Sequence, residues 1–367
     1  MAYTTIDDPS AYFQATTYTG GGANTEVTNS GNSDLKPDFL WIKNRTAGYG
    51  HFVVDSNRNI SYAQNSSNAP YLETESTAVE NNNQNWMASV NTNGFTTGIA
   101  EHINNNSGSE FVAWQWKCQG GTTASNTSGT INSTVQANQD AGFSIVTYDG
   151  NGTNNQTIGH GLGAIPDLIL IKNRNQTANW TTFHKAQGTS KHMRLNSANA
   201  ETTESGFWHS LSTTLFGVKY YDEYNNSAGE YVAYCFAEKQ GYSKFGKYVG
   251  NGSGTSDGTF NGLMVYTGFK PSWLMVKRSD GGAEDWNIFD NKRPRGTTTG
   301  NYINNKLYAN QSAAESGNVY DAVDFLSNGF KIRTGRGGTN TSGGTYIYMA
   351  FAENPFTTST GIPTTAR

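Results

Sequence analysis

The sequence predicts an all-β protein made of three tandem antiparallel β-sandwiches of jelly-roll or lectin-like type, and three observations carry that prediction. Charged residues are only 15% of the chain and Gly is 42 of 367, against about 25% and about 7% in average proteins. The remaining positions favour Asn, Thr, Tyr and Val over the Leu, Glu and Lys of helical segments, a vocabulary of short strands and tight turns with almost no helix. One strand motif is also written three times: "KPDFLWIKNR" from Lys36, "IPDLILIKNR" from Ile165 and "KPSWLMVKRS" from Lys270.

Around that motif the same landmarks recur in order. The prolines Pro37, Pro166 and Pro271 are spaced 129 and 105 residues apart, too far for a solenoid repeat, so the repeating unit is a whole domain. Each unit opens on a strand ending in glycines, "YTGGG" at Tyr18, "YDGNG" at Tyr148 and "YVGNG" at Tyr248, which permit a sharp turn. The proline strand follows 19, 18 or 23 residues later, and then a second strand in "HFVVDSNR", "WTTFHKAQ" and "WNIFDNKR". A turn and an aromatic come next, "NGF" ending at Phe95, "TLF" at Phe216 and "NGF" at Phe330. Asn-Gly supplies the positive φ of a hairpin, so "TLF" leaves the register of the second unit open. The closing strands "FVAWQWKC", "YVAYCFAE" and "YIYMAFAE" begin 16, 15 and 16 residues after those aromatics. These landmarks divide the chain into an N-terminal arm (1–12), repeat 1 (13–118), a Ser/Thr/Gly linker with an edge hairpin (119–141), repeat 2 (142–240), repeat 3 (241–354) and a C-terminal tail (355–367).

Proline at the first strand position costs no ladder hydrogen bond. The consecutive apolar residues that follow predict a strand covered on both faces, one by the facing sheet and the other by a long loop or a neighbouring subunit. Lys43, Lys172 and Lys277 are expected where the strand re-enters water, their charge discouraging stray strand pairing; a repeated anion site is the less favoured reading. Trp41, Trp180, Trp273 and Trp286 read as buried packing rather than sugar platforms.

Catalytic and metal patterns are sparse. A net charge of −4 without charge runs predicts no nucleic-acid partner, and the chain's first residues lack a signal-peptide pattern. No apolar run nears the roughly 20 residues of a membrane helix, so a soluble product without membrane insertion is expected. Cys118 and Cys235 read as reduced buried thiols, and His51, His102, His160, His184, His192 and His209 show no zinc spacing. No cofactor is expected, because the glycines sit at turns rather than in a phosphate loop. Asp149, Asn151 and Asn155 read as a turn before they read as calcium ligands. The most informative variation is in the loop before the closing strand: "KYYDEYNNSAGE" in repeat 2, "TTGIAEHINNNSGSE" in repeat 1 and "KIRTGRGGTNTSGGT" in repeat 3. One position on a repeated scaffold carries tyrosines and acids, neither, or arginines, the mark of recognition surfaces. The candidate glycan-binding residues are Tyr221, Asp222, Tyr224 and Asn225, tyrosines stacking on sugar rings and polar groups reading hydroxyls; a hairpin whose tyrosines cover the sandwich end is the more favoured reading of the loop. Asp222 and Glu223 are the carboxylates a sugar-cleaving activity would need.

The segments "AGFSIVTYDGNGTNNQTIGHGLGAIPDLILIKNR", "EYVAYCFAEKQGYSKFGKYVGNGS", "GFKPSWLMVKRSDG" and "SNGFKIRT…GGTYIYMAFAENPF", with the opening "MAYTTIDDPSAYFQATTYTG", resemble the tandem-repeat virion proteins of marine tailed phages, of cyanophage and pelagiphage type. The resemblance covers nearly the whole chain. It implies a non-enzymatic virion structural protein, a tail fibre or spike component contacting the host surface, through glycans among other groups. It also implies other virion proteins as partners and homo-oligomerisation, a trimer favoured. The alternative is a capsid decoration or tail adaptor protein whose terminal arms dock on other virion proteins.

Overall fold

The computed structural model describes residues 2–58, 70–82, 86–99, 103, 107–254, 261–293, 302–317 and 322–364, and is nearly all β; His102 lies outside these residues. Unit 1 contains β1 (Phe13–Thr19), β2 (Glu26–Thr28), β3 (Phe39–Asn44), β4 (Phe52–Asp55), β5 (Met87–Asn91), β6 (Gly94–Thr97) and β7 (Glu110–Trp116). Unit 2 contains β8 (Ala124–Asn126), β9 (Ser133–Asn138), β10 (Phe143–Asp149), β11 (Gln156–Gly159), β12 (Leu168–Asn173), β13 (Thr181–His184), β14 (Lys191–Arg194), β15 (Thr202–Thr203), β16 (Leu215–Val218) and β17 (Glu230–Phe236). Unit 3 contains β18 (Ser243–Val249), β19 (Met264–Tyr266), β20 (Phe269–Arg278), β21 (Asn287–Asp290), β22 (Asn305–Tyr308), β23 (Ser316–Gly317), β24 (Val323–Leu326), β25 (Gly329–Ile332) and β26 (Thr345–Pro355), with α1 (Gly337–Asn340) a single helical turn.

Each unit pairs a main antiparallel sheet with a small one. The main sheets run β1-β7-β3-β4, β15-β14-β13-β12-β17-β10-β9-β8 and β18-β26-β20-β21-β22-β23; the small ones are β2-β6-β5, β11-β16 and β19-β25-β24. Registers repeat. Phe13, Phe143 and Ser243 stand opposite Trp116, Phe236 and Phe351, which in turn face Phe39, Leu168 and Trp273. The opening tyrosine of each unit stacks on the first aromatic of the closing strand: Tyr18 on Phe111, Tyr148 on Tyr231 and Tyr248 on Tyr346, at 5.0, 5.1 and 5.0 Å. Phe95, Phe216 and Phe330 face Val27, Ile158 and Val265. "TLF" therefore keeps the register of "NGF" without its turn.

The proline strand explains the architecture. Leu40 and Ile42 of β3 enter a core private to unit 1, with Val27 and Phe95; Ile169 and Ile171, and Leu274 and Val276, do the same in units 2 and 3. The alternate residues Phe39 and Trp41, Leu168 and Leu170, and Trp273 and Met275 all enter one shared core. Period-two alternation thus serves two cores at once. What covers the second face is neither a long loop nor a neighbouring subunit but the other two units of the same chain. The sandwiches, tandem in sequence, close into a ring.

Bonds between units repeat around that ring. His51 Nε2 donates to Tyr308 O (2.8 Å), Trp180 Nε1 to Glu73 O (2.8 Å) and Trp286 Nε1 to Arg194 O (3.1 Å), so unit 1 holds unit 3, unit 2 holds unit 1 and unit 3 holds unit 2. The donor role of Nε2 is fixed because Nδ1 of His51 accepts from Trp41 Nε1 at 2.7 Å. Backbone bonds close the same cycle: Glu315 N to Arg45 O, Glu80 N to Arg174 O and Glu201 N to Ser279 O, at 2.8, 2.6 and 2.9 Å. At two seams a glutamate bridges two arginines. Glu80 holds Arg58 (2.7 Å) and Arg174 (3.0 Å), and Glu315 holds Arg293 (3.2 Å) and Arg45 (2.9 Å). Burial opposes the charge of Glu80, yet Arg58 and Arg174 together hold its carboxyl below the usual range. The third seam has Gln187 and Lys191 on Glu201 instead.

Two further sequence expectations change. Lys43, Lys172 and Lys277 do not re-enter water: all three are fully buried. They share the face of Phe39, Leu168 and Trp273, which is turned to the neighbouring unit rather than to solvent. Lys172 Nζ donates to Thr77 O of unit 1 (3.2 Å) and Ala178 O (2.9 Å), and Lys277 Nζ to Ala198 O of unit 2 (2.9 Å) and Arg278 O (3.0 Å). Lys43 Nζ donates to Asn44 O at 2.6 Å. The 119–141 segment carries an edge hairpin, β8 and β9, which extends the unit 2 sheet beyond β10. The arms are not free. Ile6 joins the shared core, Thr4 Oγ1 donates to Gln240 O (2.8 Å) and Ser359 binds Asp7.

The buried lysines give a pH signature. Burial lowers the pKa of Lys43, Lys172 and Lys277 to about 8, so between about pH 8 and about 10.4 the unfolded chain carries protons the folded one has released, and stability gains from rising pH there. Lys172→Met removes one such contribution. In chemical denaturation, the stability of the natural chain relative to this variant is expected to rise with pH across that window; a flat or falling difference would contradict the placement of Lys172.

Candidate functional site

The varied loop is built on a repeated frame. Asn225 Nδ2 donates to Thr153 O (2.7 Å) and its Oδ1 accepts from Asn151 N (3.0 Å). Asn340 does the same with Ser253 O and Asn251 N, both at 2.9 Å. Tyr231 and Tyr346 hydroxyls donate to Asp222 O and Gly337 O (3.0 and 2.6 Å). Tyr18, Tyr148 and Tyr248 hydroxyls donate to Ile103 O, Tyr224 O and Thr339 O (2.7, 2.9 and 2.7 Å). Residues 221–225, "YDEYN", and 336–340, "RGGTN", are therefore the same turn with different side chains.

That frame divides the four candidate residues. Tyr221 is 53% exposed, Tyr220 51%, and Asp222 is exposed. Tyr224 and Asn225 are buried. Tyr224 packs edge-on against Phe207 at 5.0 Å and supports the ring of Tyr221 at 5.8 Å, and Asn225 is spent on the turn. Tyr221 and Asp222, with Tyr220 beside them, can meet a ligand; Tyr224 and Asn225 shape the turn that presents them. Glu223 is committed inward, accepting from Asn179 Nδ2 (2.6 Å), Thr181 Oγ1 (3.1 Å) and Arg194 (2.9 Å). It does not share the surface with Asp222.

In unit 3 the same place is a hollow of about 290 Å³ lined by Glu284, Asp285, Asn287, Lys306, Tyr308 and the α1 turn. Gly338 stands where unit 2 has Glu223. Asp285, Asn287 and Tyr308 stand where unit 2 has Asn179, Thr181 and Arg194. Lys306 Nζ lies 4.9 Å from the Tyr308 ring centre, and burial raises the Glu284 carboxyl against the pull of Arg278. A larger cleft, of about 330 Å³, follows the seam between β1 and unit 3. Among its polar side chains, Gln14 donates to Ser10 O and Ser33 O, and Asn291 to Glu353. The hollow could have been found by aligning "RGGTN" on "YDEYN", since each asparagine lies six residues before the closing-strand tyrosine.

Other sequence candidates have structural duties. Asn151 Oδ1 accepts from Thr153 N (3.0 Å) and Asn155 sits at φ 55°, both within a turn. Cys118 and Cys235 are free and buried. Among the described residues no group of three His, Cys, Asp or Glu is placed to hold a metal ion, and no helix is long and apolar enough to cross a membrane.

Fold and site together define a pseudo-threefold β-sandwich scaffold that, among the described residues, presents one turn in two chemistries. A family model described as a domain of unknown function (DUF7483) matches residues 8–355. The chain belongs to that family, whose span takes in all three units. No curated protein and no solved structure matches the chain.

Proposed function

We propose that the protein is a non-enzymatic structural component of a phage particle, a tail fibre or spike element that contacts the host surface through its varied turns, glycans being the favoured contact. One observation supports this most: the repeated positions of the ring are spent on internal bonds, while equivalent turns carry Tyr221 and Asp222 in one unit and Arg336 with two glycines in another. Divergence on a fixed frame is what a recognition protein needs. The inward commitment of Glu223 argues against an acid pair with Asp222. Virion location and self-association as a trimer are proposed on the sequence resemblance, because the apolar strand face that could have bound a second copy is covered within the chain.

Gold-labelled antibody on intact particles tests the location. Label at the distal tail is expected, and capsid-wide label would replace the fibre reading with a capsid decoration. Tyr221→Ala combined with Asp222→Ala is expected to weaken binding to host envelope about tenfold, a change of about 1.4 kcal/mol. The melting temperature should hold, because both side chains are exposed. Undiminished binding would remove this turn from the contact.

A further inference from the structure

We propose that the hollow in unit 3 binds a single neutral sugar residue, held by Glu284, Asp285, Asn287 and Tyr308 in the space that unit 2 fills with its own Glu223. A Cβ at Gly338 would point at the Asn287 amide, 3.1 Å from Nδ2 and 3.4 Å from Oδ1. That is the direction Glu223 takes toward Thr181. Gly338 does not lie in the left-handed region, so the backbone does not demand glycine there; its consequence is space. At Gly337 a Cβ would collide with a carboxylate oxygen of Glu284, so any larger residue would displace that acid from the rim.

The lining chemistry selects the ligand. Beside the missing carboxylate, the cation that met it, Arg194, is replaced by Tyr308, and the neutral Ala178 and Asn179 by Glu284 and Asp285. An anionic ligand would face two acids at positions that are neutral in unit 2. A simple cation would meet Lys306 and Arg336, which balance those acids. Hydroxyls satisfy both sets, donating to carboxylates and accepting from the cationic groups. Asp285 Oδ1 accepts from Asn310 Nδ2 (2.7 Å), and Asn287 Nδ2 donates to Asp285 O (2.8 Å) and Gly338 O (3.1 Å), which leaves Asp285 Oδ2 and Asn287 Oδ1 as fixed acceptors for a ligand. Ligand pockets span about 300 to 1,000 Å³, so this hollow suits one ring rather than an oligosaccharide. The inference goes beyond the proposed function, for it requires neither the Tyr221 turn nor a virion address.

Calorimetric titration and saturation-transfer NMR on the full chain, with methyl glycosides of glucose, galactose and mannose and with N-acetylglucosamine, test it directly. At least one is expected to bind with a millimolar Kd. Gly338→Glu should abolish that binding, Asp285→Asn should weaken it about tenfold, and Tyr221→Ala should leave it unchanged. Binding by none of the four sugars, undiminished binding in Gly338→Glu, or binding of glycine or acetate in preference to sugars would overturn the proposal. Should Gly338→Glu not fold, Asp285→Asn decides. An asparagine is already accommodated at the equivalent Asn179, whose Oδ1 accepts from Asn196 at 2.9 Å, and full binding by that variant would be fatal to the idea.

Discussion

Replacing Asp290 with alanine is expected to destabilise the chain by about 3 to 5 kcal/mol, the cost of stranding a buried charge. Asp290 is fully buried, and its Oδ2 accepts from Arg293 Nε of its own unit (2.7 Å) and from Trp114 Nε1 of unit 1 (2.9 Å). Its Oδ1 accepts from the Lys292 and Arg293 amides, both at 3.1 Å. Alanine would leave a fully buried guanidinium with the Glu315 carboxylate (3.2 Å) and the neutral Ile288 O (2.8 Å), and an indole N–H unpaired. Asp55 plays the same part with Arg58 (2.5 Å) and Tyr234 (2.6 Å). The third seam is built differently. There His184 replaces the aspartate, Gln187 the arginine and Met349 the donor, and His184 Nε2 donates to Tyr348 O at 3.1 Å. Glu315→Gln should therefore cost several times more than Glu201→Gln. The latter breaks a bridge to half-exposed Lys191 and falls in the range of about 0 to 1 kcal/mol. Urea denaturation of the three variants measures the contrast, and equal losses at both seams would refute it.

Trp116→Ala is expected to cost about 3 to 5 kcal/mol for the lost contacts and the cavity. Trp116 is 1% exposed and its ring meets residues of every unit: Phe13 and Phe39 at 4.8 and 5.2 Å, Phe236 at 6.5 Å, Trp273 and Phe351 at 5.8 and 5.5 Å. Its indole N–H has no hydrogen-bond partner. Trp116→Phe should then keep most of the stability, because only packing is at stake. Thermal unfolding of the pair separates packing from polar loss; a phenylalanine variant as unstable as the alanine one would contradict this reading.

Much of the fold was legible in the residues. The strands, their order within each unit and the two-faced burial of the proline strand follow from apolar patterning and turn residues, which act locally. The ring does not, because it is written in pairs far apart in sequence: Arg45 finds Glu315 and His51 finds Tyr308. No local period encodes such partners, so the lysines read as strand exits when they are interior donors. The burial of Tyr224 and Asn225 in the candidate glycan turn is hidden for the same reason. Tyr224 packs into the unit 2 core against Phe207, which the sequence places seventeen residues away, while Tyr221 stays exposed. The asparagine frame and the paired glycines of unit 3 were readable by stacking the repeats, and they locate the hollow.

The shared core makes the units interdependent, since each main sheet buries one face only when the other two are present. Scanning calorimetry of the full chain tests this most directly. A single transition, with calorimetric and van't Hoff enthalpies equal, is predicted. Two or three separable transitions, each with the enthalpy of an isolated sandwich, would contradict it.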